Sequence, residues 1–248
     1  MDSVIEGVYL EIQNRLVAMQ NKEILLVGIA GVPGSGKSSF TSELLDKLIA
    51  NGVKATVISM DGWHYTREIS HRNYPNFHLT KLQDPAAAFA RRVSLLNLTI
   101  SLTFAQGAPQ TFDAEAYTEF VKSLKVLPRD ILKAPTFSHS IKDPTPAGLI
   151  IDKDTQIAIL EGNYVLLDEP RWKEAANMLN MKIWVDLDES EARTRLIKRH
   201  LASGICKNEE EAYYRVENND IQNGRFARAN LVDGTKVIKS IDDVKYRV

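Results

Sequence analysis

A single cysteine, Cys206, is all that the 248-residue chain offers for thiol chemistry. No disulfide framework and no cysteine metal cluster can therefore be built. No apolar run approaches the ~18 residues that a membrane-crossing helix needs. Neither sign of charge dominates: 31 Lys and Arg stand against 32 Asp and Glu, for a net charge of −1. That balance gives no electrostatic case for nucleic acid or for an anionic membrane. Asp2 and Glu6 occupy positions where a secretory leader carries a basic and then an apolar run, so the cytoplasm is the expected compartment. Histidine is scarce as well. His64, His71 and His78 recur every seven residues, but no cysteine or carboxylate pattern accompanies them, and the spacing fixes no metal geometry. Internal repeats, low-complexity runs and linkers are absent. The remainder, 44% hydrophobic and 25% charged, suits one α/β domain over residues 1–248.

The stretch that organises this domain is Ile24 to Phe40, ILLVGIAGVPGSGKSSF. The apolar run Ile24–Ala30 reads as a strand buried on both faces of a parallel sheet. Gly31, Val32, Pro33, Gly34, Ser35, Gly36, Lys37 and Ser38 then spell G-x-x-x-x-G-K-S, with Ser39 following. A helical pattern comes next, with Phe40, Leu44, Leu45, Leu48 and Ile49 on one face and Gly52 past its end. Strand, glycine loop and helix form a phosphate-binding loop, whose backbone N–H groups and helix N-terminus attract phosphate oxygens. Lys37 reaches the β- and γ-phosphates in such a loop, and the Ser38 hydroxyl ligates Mg²⁺. A nucleoside triphosphate, ATP with Mg²⁺, is the expected ligand.

The remaining elements alternate. Residues 3–19 read as an amphipathic N-terminal helix with a Ser3/Glu6 capping pattern and Ile5, Val8, Ile12, Leu16 and Val17 to one side. Strands are expected at 53–60, 155–160, 181–187 and 235–241, and helices at 86–92, 113–125, from Asp188 to Gly204, and from Asn208 to about Gln222. Residues 62–85 show no period but are rich in aromatics and histidine, and so long an irregular connection is usually functional. The fold class is a three-layer P-loop NTPase, with a mostly parallel central sheet flanked by helices. Ligands of such sheets lie beyond the carboxyl ends of the strands, where Asp61 and Glu161 stand.

S-M-D-G-W-H at 59–64, E-G-N-Y at 161–164 and the phosphate loop together resemble the phosphoribulokinase/uridine kinase superfamily. GAPQTFDA at 107–114 and PTFSHSIKDP at 135–144 make the chain more similar to pantothenate-kinase-like nucleoside/nucleotide kinases than to uridine kinase itself. The resemblance implies an ATP-dependent phosphotransferase acting on an alcohol group of a small metabolite, which is nucleoside-, pantothenate- or sugar-like. It implies Asp61 as general base, with Lys37 and Arg199 also catalytic, and Ser38 and Glu161 as the metal ligands. It also implies a lid over 190–226, whose helix carries Arg193, Arg195, Lys198 and Arg199 and whose arginines neutralise the transferring phosphoryl group, Arg199 first among them, and an adenine side near Asn219, Asn223 and Arg225. His64, His139 and Tyr164 are the candidate acceptor contacts. Uridine kinases follow the aspartate with D-S-F-Y, from which Asp61-Gly62-Trp63-His64 departs. Uridine kinase proper and a catalytically weak nucleotide-binding regulator are the alternatives. A GTP switch lacks its D-x-x-G and N-K-x-D. A homodimer is compatible with the sequence.

Relatives of this type run A-R-R-G-A-P without a break, whereas 14 residues, VSLLNLTISLTFAQ at 93–106, separate Arg92 from Gly107 here. Eight are apolar and none is charged. The segment is either an apolar insertion that packs as an extra element or a translated retained intron of 3 × 14 = 42 nucleotides.

Overall fold

The computed structural model describes residues 2–19, 23–66, 107–128, 130–138, 141 and 143–240. The expected helix at 86–92, the 93–106 segment, His71, His78 and His139 lie outside them.

Five strands make a parallel sheet in the order β2-β5-β1-β6-β7: β1 (Leu25–Gly31), β2 (Ala55–Ser59), β5 (Ile157–Glu161), β6 (Met181–Asp186) and β7 (Lys236–Lys239). Successive side chains of a strand point to opposite faces, so β1 feeds two cores. Leu25, Val27 and Ile29 join the N-terminal helix α1 (Asp2–Ala18) and α2 (Lys37–Ala50) on one face. Leu26 and Ala30 join the opposite face, with α3 (Ala114–Ser123), α4 (Pro170–Asn177), α5 (Glu189–Ala202) and α7 (Ile221–Ala229). That two-sided burial is why the strand reads as an unbroken apolar run. On α1, Ile5, Val8, Ile12 and Leu16 are buried, each contributing roughly 1.5–3 kcal/mol.

Several boundaries differ from expectation. The first helix begins at Asp2, so Ser3 lies inside it and is not its cap; Val17 and, on α2, Ile49 are exposed. Both sit at the outer margin of the apolar stripe, where a helix has already turned away from the sheet. The helix expected over 208–222 starts on its Asn208 cap, whose side chain accepts from the Glu211 amide at 2.8 Å. It runs as α6 (Glu209–Arg215), a π-helical turn (Val216–Asp220) and α7, ending at Ala229.

The hairpin β3 (Leu132–Ser138) and β4 (Asp143–Ile151) is an antiparallel unit that hydrophobic alternation does not reveal. Its strands carry Pro135, Pro144 and Pro146, and the register shifts between Ala134 and Thr136. A proline without an N–H is accommodated at such a bulge. The bulge presses the Pro135 carbonyl onto the 3-10 turn Met60–Trp63, where a Cβ on Gly62 would lie 2.2 Å from that oxygen. Glycine at 62 is therefore the condition for docking the hairpin beside Asp61. Gly62→Ala should lower unfolding stability by about 1–3 kcal/mol, read by urea denaturation. An unchanged midpoint would mean that the hairpin is not held there.

Candidate active site

In the sheet register, Ile29 and Ser59 both pair with Glu161, and Gly31 pairs with Val185. The phosphate loop, the end of β5 and the turn after β2 therefore meet at one edge. In the loop, Gly34 and Gly36 adopt φ of +82° and +78°, which side chains other than glycine rarely reach. Gly36 caps α2 without a side-chain hydrogen bond, and no acidic residue occupies the first turn. The leading N–H groups of α2 thus keep their capacity to bind an anion, and no carboxylate competes for the positive end of the helix dipole.

Lys37, the first residue of α2, places Nζ 3.8 Å from Glu161 Oε1, and the Ser38 hydroxyl donates to the same oxygen at 3.4 Å. Burial drives the Glu161 carboxyl above its ordinary range. The Lys37 ammonium pulls the other way, Asp61 adds to the rise, and the Ser38 hydrogen bond opposes it. Asp61 is half-buried in the 3-10 turn, its amide donating to Ser59 Oγ at 3.3 Å. The structure thus brings Lys37, Ser38, Glu161 and Asp61 together.

The donor set fits Mg²⁺. Ser38 and Glu161 offer two hard oxygens side by side, and no cage of three or more metal-binding side chains occurs among the described residues. Magnesium takes one or two protein oxygens and completes its shell with phosphates and water.

The other expected residues are distributed unevenly. His64 is half-buried and stacks on Phe112 at 3.8 Å and 26°, with Nδ1 3.4 Å from the Thr111 carbonyl. Trp63 packs edge-on to Tyr117 and is a core residue. Tyr164 does not face an acceptor in this structure: its ring is wholly buried, and its hydroxyl donates to the Gly107 carbonyl at 2.7 Å. It holds the 107–112 segment against the site. Its hydroxyl resists ionisation because of burial, with the charges of Asp220 and Asp61 adding to the effect. Arg199 lies exposed on α5. Arg195 reaches inward instead: it donates to the Gly34 carbonyl at 3.4 Å and to Ser240 Oγ at 3.3 Å, and it pairs with Glu191. Asn223 is buried on α7, and Arg225 makes a two-pronged pair with Glu189 on α5.

Two buried groups near this assembly escaped the sequence reading, His200 and Asp220, which meet at 2.9 Å. His200 follows Ala192 and Leu196 at helical spacing, and both of those are buried; that stripe was the available signal. Nothing in the sequence around Asp220 marks it.

Because burial raises the Glu161 carboxyl, the folded protein holds that proton more tightly than the unfolded chain. Stability should fall as pH rises from about 4.5 through the folded value. Glu161→Gln removes this contribution. The wild-type minus variant difference in unfolding free energy should therefore decline across that window, and a flat difference would contradict the assignment.

A model of the phosphoribulokinase/uridine kinase family matches residues 26–203. Over 238 residues the chain is 34% identical to a Schizosaccharomyces pombe protein named "putative uridine kinase", covering 94% of this chain and 91% of that one. It is 29% identical over 246 residues to "ATP-dependent kinase YFH7" of Zygosaccharomyces rouxii, covering 91% of this chain and 60% of that protein. Among solved structures, the "putative fructose transport system kinase" of Silicibacter sp. TM1040 superposes with a TM-score of 0.70 at 24% identity, covering 94% of this chain and 97% of that one.

Proposed function

Since the chain belongs to the phosphoribulokinase/uridine kinase family and is a P-loop kinase, we propose that it transfers the γ-phosphoryl group of ATP to a hydroxyl of a small metabolite. The observation that carries this reading is the convergence of Lys37, Ser38 and Glu161 within 4 Å at the mouth of an uncapped helix, with Asp61 on the adjoining turn. A phosphate cradle, a metal carboxylate and a proton acceptor are the parts that phosphoryl transfer needs.

ATP lies with its phosphates over residues 31–39, and the Lys37 ammonium contacts the β- and γ-oxygens. Ser38 and Glu161 would hold Mg²⁺, which would screen the charge of the phosphates. The Asp61 carboxylate takes the proton of the acceptor hydroxyl as that oxygen bonds to γ-phosphorus and the bond from phosphorus to the leaving ADP oxygen breaks. Lys37, and the metal when bound, would offset the like charges of Asp61 and Glu161 at this site. Arg199 and Arg195 supply positive charge from α5, the former from an exposed position.

The acceptor side is bounded by His64, Phe112 and the β3–β4 hairpin, with His139 as a further expected contact. Nucleoside, pantothenate-like and sugar-like hydroxyls all fit the chemistry, and the name of the fission-yeast relative makes uridine the first to try. A weak nucleotide-binding regulator is the remaining alternative. A small-molecule acceptor, rather than nucleic acid or a membrane, suits the net charge of −1. No helix among the described residues is long and apolar enough to cross a membrane.

ADP release measured with a panel of hydroxylated metabolites tests the reading directly, and no turnover with any acceptor would favour the regulator. With the best acceptor, Asp61→Asn should lower kcat ~10²–10⁴-fold with ATP affinity nearly intact. Activity within a few-fold of wild type would remove Asp61 from the role of base. Lys37→Ala should impair ATP binding and turnover together, and unchanged values for both would place the nucleotide elsewhere.

A further inference from the structure

The phosphate loop is not self-supporting. Two helices brace it from outside the sheet. Against Gly34, α5 brings Leu196 and the Ala192 carbonyl so close that a Cβ there would lie 3.2 and 3.4 Å from them. Against Val32 and Pro33, α7 brings Gly224, whose missing Cβ would fall 3.2–3.3 Å from their side chains. The position of the loop therefore depends on how α5 and α7 are held relative to one another.

Among the described residues, three side-chain links join α5 to α7 and to the π-helical turn that leads into it. Arg225 to Glu189 and Arg193 to Glu217 are partly or largely solvent-exposed, and such pairs contribute little, typically 0–1 kcal/mol. The third is different. His200 in the last turn of α5 is 3% exposed, and Asp220 at the junction of the π-helical turn and α7 is 9% exposed. A carboxylate only accepts, so His200 Nε2 carries the hydrogen and donates it to Asp220 Oδ2 at 2.9 Å. The π-helical turn adds one residue to the helical register, and Gln222 Nε2 caps its Glu217 carbonyl at 3.2 Å. Asp220 also acts on the Tyr164 hydroxyl, three residues past Glu161. The other charged and titratable groups here are Cys206, whose thiol is raised by burial, and Arg215 and Glu211, which act on it.

We propose that His200 and Asp220 are positioning residues for nucleotide binding: their buried hydrogen bond locks α5 to α7 and so fixes the phosphate loop between them. The proposal rests on the reading that residues 31–39 hold ATP. Both side chains are buried in the bracing elements, so the pair acts through Gly34, Val32 and Pro33.

The test measures the dissociation constant for MgATP by calorimetry, alongside KM for ATP, kcat and melting temperature. His200→Ala and Asp220→Ala should weaken MgATP binding roughly tenfold, in line with the loss of one buried hydrogen bond, with kcat and the acceptor KM much less affected. His200→Gln and Asp220→Asn, which keep a donor and an acceptor, should recover most of the affinity. Alanine variants that fold and bind MgATP as wild type does would overturn the proposal, as would conservative variants no better than alanine. Should the alanine variants fail to fold, His200→Phe, which fills the buried position without a donor to Asp220, replaces them; MgATP affinity equal to wild type there would overturn it too. Wild-type protein that binds no MgATP would instead refute the nucleotide reading itself.

Discussion

The leading N–H groups of α2 have no side-chain cap, and an uncapped helix start typically costs about 1 kcal/mol relative to a Ser or Asp cap. Keeping them available for phosphate requires the preceding loop to hold its shape without the cap. Its shape comes from contact on every side. A Cβ at Gly31 would lie 2.6 Å from the Val185 carbonyl of β6 and from Ser35 Oγ, so the sheet fixes the base of the loop. The helices α5 and α7 fix its crest, and the Ser35 amide closes it by donating to the Val32 carbonyl at 3.0 Å. The anion site is a property of this enclosure as much as of the glycines.

Electrostatics at the site are unfavourable in the free protein in a way that suits its proposed ligands. Glu161 is half-buried, and the nearby Lys37 does not fully offset its desolvation. Asp61 adds a like charge across the strand ends. A metal cation between Ser38 and Glu161 and phosphates on Lys37 would relieve each of these interactions, which is how a binding site can favour its ligand over the empty state. Elsewhere the buried carboxylates are already satisfied: Asp186, at the end of β6, accepts from Lys239 at 2.6 Å, Arg228 at 3.1 Å and Trp184 at 3.3 Å, and its carboxyl is lowered despite desolvation.

The proposed acceptor side is built differently from the proposed nucleotide side. The phosphate loop joins a buried strand to a helix, whereas the proposed acceptor wall comes from a proline-bearing hairpin, a 3-10 turn and the 107–112 segment. The turn and the 107–112 segment are joined by Asp113 donating from its amide to the Trp63 carbonyl at 2.8 Å and by Tyr65 donating to the Thr111 carbonyl at 3.0 Å. Such a wall can vary in sequence without disturbing the sheet.

The parallel sheet, the phosphate loop and the strand-end positions of Asp61 and Glu161 were legible in the sequence, because each depends on local pattern: an apolar run, a glycine spacing, a carboxylate directly after a strand. The hairpin was not, since Pro135, Pro144 and Pro146 interrupt any alternation and its pairing is set by the bulge and by the turn it docks on. Nor was α4, whose Trp172 and Ala175 fill an aromatic cluster assembled from Trp63, Phe112, Tyr117 and Tyr164. Tyr164 looked available beside Glu161, and only packing against Trp172 and the Gly107 carbonyl removed it from the surface. The His200–Asp220 link belongs to the same class. Its partners stand twenty residues apart, and a π-helical turn shifts one of them by a register that no helical period predicts. Sequence alone determined the chemistry available at the strand ends; the tertiary structure decided which side chains reach it, because reach depends on packing between elements distant in the chain.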